Sequence, residues 1–211
     1  MFGHILKKDK RDKNFPISSI LPSEDTPLVY KTWKIGEIEN QGNSPQCVGY
    51  SADLVLRSAP KIQNSPGPDK LYKESCLIDG LDHSKVSGTT LRAMMKVLQS
   101  RNLIRGYYWA EDIEDIAKYL CSTGPVIFGT KWFYGMNNPD EFGFLKVWGE
   151  ELGNHAYVCY GADVEKGHLI FANSYGQFWG QAGCFKMRFE EVSWLLKNDG
   201  LCVAPEEIDK N

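Results

Sequence analysis

Three residues of this chain could together carry out nucleophilic acyl chemistry: Cys47, His155 and Asn173. Cys47 follows the turn-forming run GNSPQ (42–46) and opens VGYSADLVLRSA (48–59), whose apolar residues recur at helical spacing. That places its sulfur at a helix N-terminus, where the macrodipole and free N–H groups favour the thiolate. His155 opens the apolar run AYVCYG directly after a glycine turn, which sets a titratable ring at a strand edge. Asn173 ends HLIFA and precedes the aromatic, glycine-rich SYGQFWG. Its side-chain carbonyl could accept the second ring N–H of a histidine and fix the tautomer. Taken singly, each has an ordinary reading: a small buried hydrophobe, a satisfied structural histidine and a turn residue.

The elements needed to hold them are legible around them. Residues 1–28 are polar, Lys-rich and broken by prolines, predicting an arm with little regular structure, accessory to the rest. Val29 to Ile38 reads as extended. Helices are expected over 48–59, 87–103 and 111–124, the second with Thr89 or Thr90 near its start and the third closed by Gly124-Pro125. The Pro and Gly residues of QNSPGP predict no helix there. PVIFGTKWF, NHAYVCYGAD, HLIFANS and GCFKMRF are short, aromatic and β-branched between glycine turns, as strands are. Helices first and strands later predict an α+β chain with two lobes, about 40–115 and 116–200, within a domain over 29–205; residues 206–211 form a tail.

With four motifs in order, the chain resembles the papain-like cysteine peptidases. ENQGNSPQCVGYSA (39–52) resembles their nucleophile segment, with Gln41 six positions before Cys47. NHAYVCYGAD (154–163) resembles their histidine strand, and NSYGQFWGQAGCFKM (173–187) their asparagine block. GPVIFG (124–129) and SGTTLRAMMKVL (87–98) match softer ones, and the resemblance spans roughly Trp33 to Cys202. It implies a helical left lobe carrying Cys47, an antiparallel barrel-like right lobe carrying His155 and Asn173, and a cleft between them. It implies cysteine-type endopeptidase activity through a thioester, with the Gln41 amide and the Cys47 N–H forming the oxyanion hole. It also implies that Thr89, Thr90, Asn154 and Ala156 line the substrate cleft, with Glu206 or Glu207 at a pocket floor suited to Arg or Lys. Alternatives are a catalytically silent peptide-binding or structural protein of the same fold, and a Cys-His-Asn acyl transferase or deamidase.

The chain departs from the family pattern in places. Val48-Gly49 follows the cysteine where an aromatic is usual, Ser44 stands where many members carry a disulfide cysteine, and Tyr175 replaces the tryptophan that covers the Asn–His bond.

The remaining features narrow the partners. With 42% apolar and 24% charged residues over 211 positions, the chain can build a real core. A net charge of −3 points to no particular partner, and KKDKRDK (7–13) is interrupted by Asp9 and Asp12, so no nucleic acid is expected. Neither a membrane-length apolar run nor a signal-like N-terminus occurs, which leads to an expectation of cytoplasmic residence and six reduced cysteines. No CxxC pair occurs, and His155 and Cys159 on one strand would lie ~13 Å apart, so neither metal nor cofactor is expected. A polypeptide is the expected substrate.

Overall fold

A computed structural model describes residues 2–22 and 27–208. The fold is α+β. Strand β1 (Lys31–Thr32) is followed by helices α1 (Cys47–Leu56), α2 (Pro68–Ile78) and α3 (Leu91–Ser100), then β2 (Ile104–Ala110) and α4 (Ile113–Ser122). Strands β3 (Val126–Phe133), β4 (Glu151–Asp163), β5 (His168–Ala172) and β6 (Cys184–Arg188) come next, then α5 (Phe189–Lys197) and β7 (Leu201–Glu207). The strands form one antiparallel sheet in the order β2-β7-β3-β4-β5-β6, with β1 added against β4.

Strand alternation divides the core between the two faces of this sheet. Phe128, Tyr157 and Phe171 point into a cluster closed by Ile116, Leu120 and Leu195 from α4 and α5. Ile127, Ala156, Val158 and Val203 point the other way, against α1 and α3. Because both faces are covered, β3 and β4 read as nearly continuous apolar runs. Helix α1 is buried almost all round, as a helix inserted between other elements must be. Gly49 within it is required by packing: a Cβ there would lie 2.4 Å from the Pro68 carbonyl oxygen at the start of α2. That explains the Val48-Gly49 departure as an accommodation of α2.

Helix α2 overturns the reading of QNSPGP as a stop. Pro68 sits in the first turn, where its fixed φ suits the helix and its missing N–H costs nothing. The other expected helices form with trimmed ends, α3 capped by Thr90 Oγ1 on the Ala93 N–H at 3.1 Å and α4 by Asp112. The N-terminal arm contains two 3₁₀ turns, Lys10–Asn14 and Ile17–Ile20, and Ile17 is buried in the core. None of the helices among the described residues is long and apolar enough to cross a membrane.

Candidate active site

The three central residues meet because of sheet register. Strand β4 pairs with β3 so that His155 faces Thr130, and with β5 so that Val158 faces Ala172. Continued past the end of β5, that register brings Asn173 and Tyr175 alongside His155. The His155 Nε2 lies 2.7 Å from Asn173 Oδ1, and both residues are buried. Asn173 Oδ1 also accepts the Ser174 N–H at 2.8 Å, and the Asn173 N–H is held by the Gly183 carbonyl. With Nε2 committed to an acceptor, that nitrogen carries the proton and Nδ1 is left to act as base. No protein group hydrogen-bonds the buried Nδ1.

Cys47 begins α1, wholly buried, and the packing of α1 against β4 brings it to the start of the His155 segment. The backbone N–H groups of Ala156, Gly3 and Val48 favour its thiolate, but burial outweighs them and pushes the thiol up to about 11. The same burial lowers His155 to about 4, against the opposing pull of Asn173. The expected thiolate therefore does not form in this state: desolvation exceeds the helix N-terminus in magnitude, and the pair is neutral.

Aromatic rings fix the imidazole. Tyr175 stacks on it with centroids 5.0 Å apart and 28° between planes, while the Trp132 edge approaches at 4.9 Å. Tyr175 thus covers the ring as a tryptophan would. Trp132 was not singled out from the sequence, yet it lies two residues from Thr130 on the face His155 shares, so strand alternation identifies it.

Gln41 is held on both sides. Its N–H donates to the Ser174 carbonyl at 2.8 Å, its side-chain NH₂ to the Ser44 carbonyl at 2.7 Å, and its Oε1 accepts the Ser174 hydroxyl. Arg57 braces the approach to it, pairing with Asp53 and Glu39 and donating to the Glu37 carbonyl.

The cleft is filled by the chain's own N-terminus. The Thr89 N–H donates to the Gly3 carbonyl at 2.9 Å, the Ile5 N–H to the Thr89 carbonyl at 2.9 Å, and the His4 N–H to the Asn154 carbonyl at 3.3 Å. Glycines make the fit. A Cβ at Gly88 would lie 2.2 Å from the Gly3 oxygen, and one at Gly129 2.3 Å from His4 Nε2. At Gly153 it would meet the Phe2 ring, which itself edges onto His155 at 5.9 Å. Farther along, Arg92 pairs with Asp9 at 3.7 Å and closely with Asp12. Residues 2–6 are therefore seated in the site instead of lying apart from it, because this short stretch of small and apolar residues matches the glycine-lined groove.

Of the residues expected to line the cleft, Thr89, Asn154 and Ala156 are in it. Thr90 is occupied as the α3 cap. Glu206 lies across from Gly106 on the β2–β7 edge, near Tyr108 Oη at 3.3 Å and Arg105 at 3.5 Å, so its carboxylate is committed elsewhere. The side chain of Glu207 lies outside the described residues. All six cysteines are free.

No protein-family model matches the chain, and no curated relative matches it in sequence. Solved structures do. The chain is similar to xylellain, a cysteine protease from Xylella fastidiosa, with 17% identity and a TM-score of 0.73 over 99% of this chain and 96% of that one. It is also similar to digestive procathepsin L2 proteinase from the Tenebrio molitor larval midgut, with 17% identity and a TM-score of 0.69 over 97% and 77% of the two chains. A mite-allergen structure from work on Blo t 1 and Der p 1 matches at 16% identity and a TM-score of 0.59, over 90% and 74%. These likenesses establish the papain-like fold.

Proposed function

We propose that this chain is a cysteine endopeptidase that folds with its cleft covered by residues 2–6. The observation that carries the reading is the 2.7 Å contact from His155 Nε2 to Asn173 Oδ1, with Cys47 at the head of α1 beside the Ala156 N–H. Once the arm leaves and water enters, desolvation relaxes: Cys47 falls, His155 rises, and the proton can pass from sulfur to Nδ1. The thiolate attacks the carbonyl carbon of a polypeptide, forming a C–S bond and an oxyanion. The Gln41 amide and the Cys47 N–H are the donors for that oxyanion. Collapse breaks the C–N bond while His155 returns its proton to the leaving amine. A water, deprotonated by His155, then hydrolyses the thioester. Asn173 keeps Nε2 protonated throughout, and Tyr175 with Trp132 shields that bond from solvent.

The cleft-facing arm residues can be removed without exposing the core, since Ile17 and the Arg92 clamp lie beyond them. A chain beginning at Lys7 should hydrolyse members of a peptide library and be labelled on Cys47 by an epoxide warhead. Labelling without hydrolysis would favour a silent peptide-binding protein. Transfer of the acyl group to an added amine in preference to water would favour an acyl transferase. Neither labelling nor hydrolysis would end the peptidase reading.

A further inference from the structure

Behind the cleft wall lies a side-chain cluster that the proposed reaction does not use. Cys76 near the end of α2, Asp79 at its C-terminal cap and His83 in the following turn each offer one ligand atom, all within 4.8 Å of one another. Gly80, at φ 71°, turns the chain so that His83 comes back over the end of the helix. Sulfur, carboxylate oxygen and imidazole nitrogen together form the mixed donor set that borderline-soft divalent zinc accepts.

The geometry is close to what such an ion needs. His83 Nε2 stands 3.1 Å from the Asp79 carboxylate oxygens. Tetrahedral zinc with bonds of about 2.0–2.3 Å has ligand-to-ligand edges of about 3.3–3.5 Å. The nitrogen and oxygen are already near that spacing, and the cysteine sulfur needs to close by about one ångström, within reach of a rotamer change.

The electrostatics point the same way. The Asp79 side chain is 0% exposed, yet among the described residues its one ion-pair partner is His83, itself 30% exposed and with no Lys or Arg joining it. The Leu81 N–H at 2.9 Å and the Thr89 hydroxyl at 2.7 Å hold the carboxylate from behind, an arrangement that orients metal-binding carboxylates. Burial first, and then the Asp79 charge, raise the Cys76 thiol, and a dication placed between them would relieve that repulsion.

We propose that Cys76, Asp79 and His83 form a binding site for a zinc-type divalent cation, with a fourth position open to water. The site is joined to the cleft through Thr89. Its hydroxyl rests on Asp79 while its backbone pairs with Gly3 and Ile5, so an ion there would stiffen the wall on which the cleft's occupant is hung.

Cobalt(II) and zinc(II) titrations test this in a full-length Cys47→Ser chain, which removes the Cys47–His155 pair as a competing thiolate–imidazole site. The expected result is one equivalent of cobalt with a sulfur-to-cobalt charge-transfer band, displaced by zinc. Adding Cys76→Ser should abolish the band, and adding His83→Ala should weaken binding at least tenfold. Both side chains are partly exposed, so circular dichroism should stay unchanged. No charge-transfer band, or a band that survives Cys76→Ser, overturns the proposal, as does binding unaffected by His83→Ala.

Discussion

Ser174 donates its hydroxyl to Gln41 Oε1, while its N–H lies 2.8 Å from Asn173 Oδ1. One serine therefore aligns the oxyanion donor and the acceptor that orients the histidine. In the chain beginning at Lys7, Gln41→Ala should lower kcat about 10²–10³-fold with little change in KM, as loss of one oxyanion donor does. Ser174→Ala should lower kcat by about tenfold, because Gln41 keeps its backbone tie to Ser174 and its bond to Ser44. Steady-state kinetics on one peptide checks both, and a change confined to KM would contradict the assignment.

The covered thiol should be inert. With Cys47 near 11, only about one molecule in 10⁴ is thiolate at neutral pH, and the sulfur has no exposed surface. Iodoacetamide should modify Cys47 at least 100-fold more slowly in the full chain than in the chain beginning at Lys7, as read by peptide mass mapping. Equal rates would mean that the arm does not cover the sulfur in solution.

Gly129→Ala should release the arm while leaving the catalytic residues in place, since the added methyl collides with the His4 ring. Gly129 has an ordinary strand conformation, so alanine suits its backbone. Arg92→Ala should loosen the arm from its other end by removing the partner of Asp9 and Asp12. Each variant of the full chain should recover at least half the activity of the chain beginning at Lys7. Activity no higher than that of the unmodified full chain would show that the arm is held by something other than these contacts.

Acid should open the cleft. Burial lowers His4 to about 3, a little offset by the Thr89 backbone, although neither ring nitrogen makes a hydrogen bond of good geometry. His155, which faces His4, is held near 4. With the arm out, both rings regain values nearer 6.5 and bind more protons than the covered state does, so covering loses stability as pH falls below about 6.5 and continues to lose it down to about 4. At pH 5 the cost for His4 alone is about 2 kcal/mol. The activity of the full chain, expressed relative to the chain beginning at Lys7, should rise from pH 7 to pH 5, and His4→Phe should flatten that rise. A ratio independent of pH would remove the histidines from this role.

Cys47, His155, Asn173 and Gln41 were legible because each lies at the junction of a turn with a strongly patterned element. Strands β3 to β6 were legible for the same reason, through their alternation and glycine punctuation. Strand β7 was missed because GLCVAPEE contains a proline and ends in acids, and its strand character comes from pairing with β2 and β3, distant in sequence. Helix α2 was hidden by reading Pro68 as a terminator when it is an initiator. The arm's place in the cleft could not be read from a polar, proline-broken segment: Phe2 to Leu6 carry little pattern of their own, and their partners are glycines scattered over four distant segments. The ionisation of Cys47 was misjudged because a local rule about helix termini takes no account of a lid supplied from elsewhere in the chain.

The parallel pairing of His4 with Thr89 joins two parts of one polypeptide, and this sets the terms of any competition for the groove. A tethered segment meets its site at an effective concentration in the millimolar range, which does not fall when the protein is diluted. Dilution therefore cannot switch this chain on, and a substrate binding at micromolar strength meets a rival that is always present. One cut between the arm and α1 would change the order of the reaction: the same contacts, no longer tethered, would be shared with bulk solvent, and occupancy would become a matter of ordinary second-order binding.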